Sequence, residues 1–268
     1  MTTVVRPDLS ARTAISKSAL NGFDACQTAA WFDLHQRRPL IPQERITFGS
    51  AVDAGVEVIA KFLRAGQTVV MEQAMLAAAE VVDRDEVAVD LDEVEHALTR
   101  YMVECAGQHD WSLVRTQEHI AGVLPDLGEV DGHPDLWFPH DAIWDIKTGA
   151  REKKDEPTVE LGWYALLAAE VVGEPVPTVG YETWARTARP HWQRLSFEVT
   201  DELLRWTVER AAAYVRAKRA DAVLNRNAEV PVNWAMTGGP KYGPSSCATC
   251  QYADLCSIAY RGVSDDAA

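Results

Sequence analysis

Two short apolar runs, Leu136-Trp137-Phe138 and Ala142-Ile143-Trp144, are separated by Pro139-His140-Asp141 within the stretch HPDLWFPHDAIWDIKTG, His133 to Gly149. The pattern predicts a hairpin: a strand over Glu129–Phe138, a turn, and a strand over Ala142–Thr148. Side chains alternate along a strand, so Asp145 and Lys147 share one face, while Trp144 and Ile146 take the other, toward a core. Asp135 ends the preceding strand. All three polar groups can therefore meet at one edge of a sheet. Two carboxylates that close repel each other unless a cation sits between them, and Mg²⁺ or Mn²⁺ prefers such oxygen ligands. A lysine beside them can orient a water molecule, an arrangement suited to phosphodiester hydrolysis. An Asp-x-Lys taken alone is usually a surface hairpin with a salt bridge; the ensemble, followed by a helix, is what carries the chemistry.

The rest of the chain supplies the layers. Ser16 is placed to cap a first helix that should break or bend near Gly22. A second helix over TFGSAVDAGVEVIAKFLRAG carries an apolar face of Phe48, Ala51, Val52, Val58, Ile59 and Phe62, with Gly66 as its stop. Met71–Val82 and Leu91–Ala106 read as further helices, a helical insertion at about 66–110. Then come a strand over Leu113–Val123, the hairpin, a helix over Thr158–Val172, and a strand pair at Thr178–Thr187 and His191–Val199. A long helix follows over Asp201–Leu224, capped by Thr200. Helices ahead of a strand-rich core describe a mixed α/β fold in one compact domain.

GHPDL followed by WDIKTG resembles the PD-(D/E)xK nuclease superfamily in its RecB-like branch. The resemblance implies a restriction-endonuclease-like core, a central mixed sheet flanked by helices. By that analogy Asp135 and Asp145 hold a divalent metal, with the backbone carbonyl of Ile146 as a further ligand, and Lys147 assists the attacking water. The branch carries Gly-x-x-x-His on a helix ahead of the strands. Here Gly49 is followed by Asp53, and an aspartate can still ligate Mg²⁺ or Mn²⁺. The family's Gln-Leu-x-x-Tyr appears as Glu160, Leu161 and Tyr164. Glu160 and Tyr164 share a helix face. Glu160 is placed to contact Lys147 or a metal-bound water, and Tyr164 either lines the DNA path or is a half-buried aromatic.

Five cysteines, an odd number, disfavour a disulfide framework. Cys247-x₂-Cys250-x₅-Cys256 forms one close group near the C-terminus, and a fourth ligand must come from afar. Zinc, or unligated buried thiols, remain open readings of this spacing. Cys26 within SKSALNGFDACQTAAWF resembles the upstream cysteine of RecB-like nucleases that hold a 4Fe-4S cluster. The resemblance then implies a cluster on Cys26, Cys247, Cys250 and Cys256, tying the chain ends together.

The formal net charge of −14 argues against broad, non-specific nucleic-acid binding but leaves room for a local basic groove. Arg151–Lys154 follows the Asp-x-Lys strand, so Lys153 and Lys154 can hold phosphates near the site. Trp184 and Trp192 are candidates for base stacking or for the core. No apolar run of about eighteen residues occurs, and the N-terminus lacks a secretory core, so a cytoplasmic protein is expected. The resemblance implies a metal-dependent DNA exonuclease, favouring single strands and 5′ to 3′ digestion. It implies work beside recombination, repair, phage or CRISPR proteins, with an oligomer left open. The rival is a non-catalytic DNA-end-binding recombination partner that keeps the fold.

Overall fold

The computed structural model describes residues 14–35, 43–149, 156–224, 250–252 and 256. They fall into two compact units. One draws on Met1–Leu40, Gly122–Asp131 and Arg205–Ala268, the other on Ile41–Ala121 and Gly132–Leu204.

In the first unit, α1 (Lys17–Ala25) starts at Ser16, whose hydroxyl accepts the Ala19 N–H. The helix does not break at Gly22. It breaks at Cys26, which is extended, and α2 (Gln27–His35) begins immediately after. A glycine inside a helix costs only about 1 kcal/mol, and the burial of Leu20 and Phe23 on either side of Gly22 offsets it. Phe23 packs edge-on against Tyr214, and Asp24 pairs with Arg210. Tyr252 stacks on Phe32 at 5.4 Å and donates its hydroxyl to Asp33. Ile15 bridges to Val130 in parallel.

The second unit is built on a five-stranded sheet, β1 (Arg115–Thr116), β4 (Leu136–Phe138), β5 (Ala142–Gly149), β6 (Thr178–Ala185) and β7 (His191–Glu198), in the order β1-β4-β5-β6-β7. The two expected strands around residues 113–138 are each divided. Gln117, with φ of 49°, turns the chain between β1 and β2 (Ile120–Leu124). His133-Pro134-Asp135 separates β3 (Gly128–Gly132) from β4, because Pro134 has no N–H to give a ladder. Among the described residues β2 and β3 form a separate two-stranded sheet, and β3 also carries the bridge to Ile15. β5 pairs antiparallel with β4 and parallel with β6, so the sheet is mixed.

The alternation along β5 decides everything that follows. Ala142, Trp144 and Ile146 enter a core with Leu136, Phe138, Trp184 and Trp192. The helices α3 (Glu44–Arg64), α4 (Met71–Asp85) and α5 (Leu91–Glu104) cover that face, sealed by Phe48, Ala51, Val52, Val56 and Ile59 of α3. Val56, rather than Val58, completes the α3 stripe, since 52, 56 and 59 keep the helical spacing. Asp145 and Lys147 take the opposite face, where α6 (Val159–Leu167) lies against β5 and β6. α6 runs into a π-helical turn at Ala168–Val172, closed by Gly173 at φ 78°. α7 (Asp201–Leu224) begins at Thr200, whose hydroxyl accepts the Leu203 N–H.

Both tryptophans offered for base stacking belong to the core. Trp184 is fully buried, and Trp192 lies 5.8 Å from it with its indole N–H bonded to the Ala97 carbonyl. Gly180 sits opposite Trp144 in the β5–β6 register, and a Cβ there would collide with the Trp144 ring and the Leu195 carbonyl oxygen. Because one of those neighbours is backbone, Gly180→Ala should destabilise the fold by about 1–3 kcal/mol, read as a lower urea midpoint with an unchanged m-value.

Candidate active site

The site is assembled where β4 runs out. Leu136 is the last β4 residue paired with β5, opposite Trp144. Beyond it the β5 edge has no strand partner among the described residues, and the Asp135 side chain takes over. Its Oδ2 accepts the Ile146 N–H at 2.8 Å, while its Oδ1 accepts the Gln117 amide at 2.9 Å. The carboxylate is thereby fixed against the strand that carries Asp145 and Lys147.

Asp145 is fully buried. Lys147, on the same face, pairs its ammonium with Asp145 and with Glu160 Oε1, the latter at 3.0 Å. Glu160 lies in the first turn of α6 and is itself buried. The structure thus joins Asp145, Lys147 and Glu160 directly, and ties Asp135 to the same strand through the Ile146 N–H between Asp145 and Lys147. Tyr164 is fully buried and does not face solvent; its hydroxyl donates to the His133 carbonyl at 2.7 Å. It anchors the segment that leads into Asp135.

Asp53 stands one turn beyond Gly49 on α3, half-buried. Gly49 itself meets the end of β5 closely, since a Cβ there would lie 2.8 Å from Thr148 Oγ1. Among the described residues, no three His, Cys, Asp or Glu side chains are gathered as a metal cage, so Asp53 is not clustered with Asp135 and Asp145. Mg²⁺ needs no such cage, since it binds through one or two carboxylates and keeps several waters. Two fixed aspartates beside an open strand edge are a hard-oxygen donor set that fits it. Glu118 is exposed on the β1–β2 turn and pairs loosely with Arg115. Lys153, Lys154 and Cys247 lie outside the described residues. Cys26, Cys250 and Cys256 are partly buried and form no disulfide among the described residues.

Three contributors have no motif in the sequence. Gln117 holds Asp135 from a left-handed turn. Tyr181 sits opposite Asp145 in the parallel register and shares a 2.5 Å hydrogen bond with the Thr158 hydroxyl. Thr158 is the N-cap of α6, but its side chain serves Tyr181 and not its own helix. This clasp sets the α6 turn that bears Glu160. Burial, and then the Glu160 carboxylate, push the Tyr181 hydroxyl well above its ordinary range, with Asp145 adding to the effect. Only the parallel pairing of β5 with β6 reveals such a residue.

Set beside known families, residues 14–257 match the PD-(D/E)XK nuclease superfamily. This chain belongs to that superfamily. A solved structure described as a putative exonuclease from Eubacterium rectale is similar over 89% of this chain and 98% of its own, with a TM-score of 0.56 and 14% identity. An alkaline exonuclease from Laribacter hongkongensis aligns over 81% of this chain and 95% of its own, with a TM-score of 0.37 and 14% identity. No curated protein matches. For a PD-(D/E)XK member, the α/β architecture is the restriction-endonuclease-like one, a central mixed sheet flanked by helices. No helix among the described residues is long and apolar enough to cross a membrane.

The tyrosines give a pH signature. Tyr101 and Tyr181 both ionise well above the ordinary phenol value of about 10, because burial penalises the phenolate. A group whose pKa is raised by folding contributes stability that is whole below its unfolded pKa and is lost as pH rises toward the folded one. Unfolding free energy should therefore fall above about pH 10. Urea midpoints across pH 8–11.5 should decline less steeply for Tyr181→Phe than for wild type.

Proposed function

We propose that this chain is a metal-dependent DNA exonuclease, with single-stranded DNA as its favoured substrate and 5′ to 3′ digestion. The observation that supports the reading is the Lys147 ammonium held by Asp145 and Glu160 on the strand whose Ile146 N–H is taken by the Asp135 carboxylate. Superfamily membership and the shared fold support it. A bound Mg²⁺ or Mn²⁺ would supply Lewis-acid stabilisation of the charge that develops on the phosphate.

Asp135 and Asp145 are the side chains that would hold that ion. The Ile146 carbonyl leaves the strand on the same side as its N–H, as strand residues do, and so points to the edge where Asp135 sits. Asp53 is our further candidate ligand, from the α3 turn that passes Thr148. Lys147 is held between two carboxylates, which fixes its ammonium where it can orient a water toward the phosphorus. In hydrolysis the water oxygen would bond to phosphorus, the P–O bond to the departing sugar oxygen would break, the water's proton would pass to the Glu160 carboxylate beside the Lys147 ammonium, and the departing oxygen would take a proton from solvent and leave as a hydroxyl. Tyr164 keeps the approach to Asp135 rigid through His133. Lys153 and Lys154 would hold phosphates on the chain that follows β5.

We also assign Cys26, Cys247, Cys250 and Cys256 to a 4Fe-4S cluster. The supporting observation is local to the first unit. Tyr252, between Cys250 and Cys256, docks on Phe32 and Asp33 of the helix that begins just after Cys26. The three described thiols are not gathered into a group of three, so no step of the reaction is routed through a cluster, and its role would be that of a staple between distant parts of the chain.

Labelled, end-blocked single and double strands should be cleaved by the wild type only with Mg²⁺ or Mn²⁺. Lys147→Ala and Asp145→Ala should each lose about 10²–10⁴-fold in rate, the range for a displaced acid–base group. Equal rates in wild type and both variants would refute the enzyme and favour an end-binding protein. Iron and sulphide analysis of anaerobically purified protein should find about four of each per chain for one cubane cluster; stoichiometric zinc without iron would replace that assignment.

A further inference from the structure

Single-strand binding needs exposed planar rings on which bases can stack. Among the described residues every Phe, Tyr and Trp is buried or half-buried. The exposed rings are imidazoles, and two of them meet. His119 and His133 are both exposed, and their rings stack at 4.4 Å between centroids with only 7° between planes. They come from different segments, and each segment is tied to Asp135. His119 follows Gln117, whose side chain and backbone N–H donate to the Asp135 side chain and carbonyl respectively. His133 precedes Pro134-Asp135, and its own carbonyl takes the Tyr164 hydroxyl.

We propose that the His119–His133 pair is a stacking shelf for a nucleobase of single-stranded DNA, placed beside the Asp135 edge of the site. The proposal rests on the nuclease reading for its substrate. Two parallel imidazoles already form a two-layer stack, and a base laid on an outer face would extend it without sequence preference. Anchorage at Gln117 and Tyr164 means that the shelf need not be ordered on binding, which saves the entropy that a loose side chain would lose. The shelf would place a base at a set distance from the scissile phosphate, so it would favour a strand whose bases are free over one whose bases are paired.

The test uses the full chain carrying Lys147→Ala, which keeps the substrate whole, and single-stranded oligonucleotides with 2-aminopurine at each near-terminal position in turn. Fluorescence should change on binding at one or two positions. His119→Ala/His133→Ala should lose that change and bind about tenfold more weakly, within the range for one stacked base. His119→Phe/His133→Phe should restore both, since phenyl rings stack but donate no hydrogen bond. Normal binding by the Ala pair would overturn the shelf. So would a Phe pair as weak as the Ala pair, because the imidazoles would then be gripping phosphate. A wild type that binds through the shelf but never cleaves would refute the nuclease reading and leave the shelf standing. A wild type that cleaves, with a normally binding Ala pair, would do the reverse.

Discussion

The hydrogen bond from the Ile146 N–H to the Asp135 carboxylate does the work of a missing strand. β5 lies between β4 and β6, and on its β4 side the ladder ends at the Leu136–Trp144 pair. An unpaired strand edge would otherwise present free N–H and C=O groups. A side chain answers that demand here, and in doing so it fixes an acidic group against the strand. Asp145 and Lys147 flank the anchored residue, one on each side. The same bond therefore closes the sheet and builds the site.

The sheet keeps its two faces chemically apart. On the α6 face, Lys147 balances Asp145 and Glu160, and Tyr181 and Thr158 hold the helix turn above them. On the other face a second buried acid, Glu182, is satisfied by Tyr101 at 2.9 Å and His109 at 2.7 Å, with Arg194 nearby. Arg194 also lies over the Trp144 ring at 4.0 Å, and His109 stacks on Phe138. Removing one partner from such a buried group would leave it short of a hydrogen bond, a cost of about 1–3 kcal/mol. Glu182 therefore fastens α5 and the turn after it to the sheet, directly behind the strand that carries the site. The cation is shared between two acids in front, and one acid is shared among three partners behind.

How much of this could be read from residues alone depends on the range of the cause. The alternation of β5, the Thr200 cap and the Gly66 stop follow from local periodicity and helix chemistry, whereas the contact between Glu160 and Lys147 is one of two placements that the family resemblance implies. The division of the strand at Asp135 does not. Pro134 marks where the run can break, and only the separate pairing of β2 with β3 shows that its two halves serve two sheets. Trp184 and Trp192 offered no local sign of burial, since aromatic residues suit a core and a base platform equally well. The break at Cys26 in place of Gly22 reflects packing that outweighs helix propensity.

From its sequence alone, this protein carries a strand with Asp145 and Lys147 on one face, a preceding Asp135 and a following acidic helix turn. Those features depend on backbone periods of two and of 3.6 residues, which act within a few positions. Tertiary structure decided that Asp135 faces Ile146, that Tyr181 lies opposite Asp145, and that Gln117, His119 and His133 converge on the same edge. Each of these depends on which strands pair and in what register. Register is settled by burial across the whole sheet, where a slip of one residue would exchange its two faces.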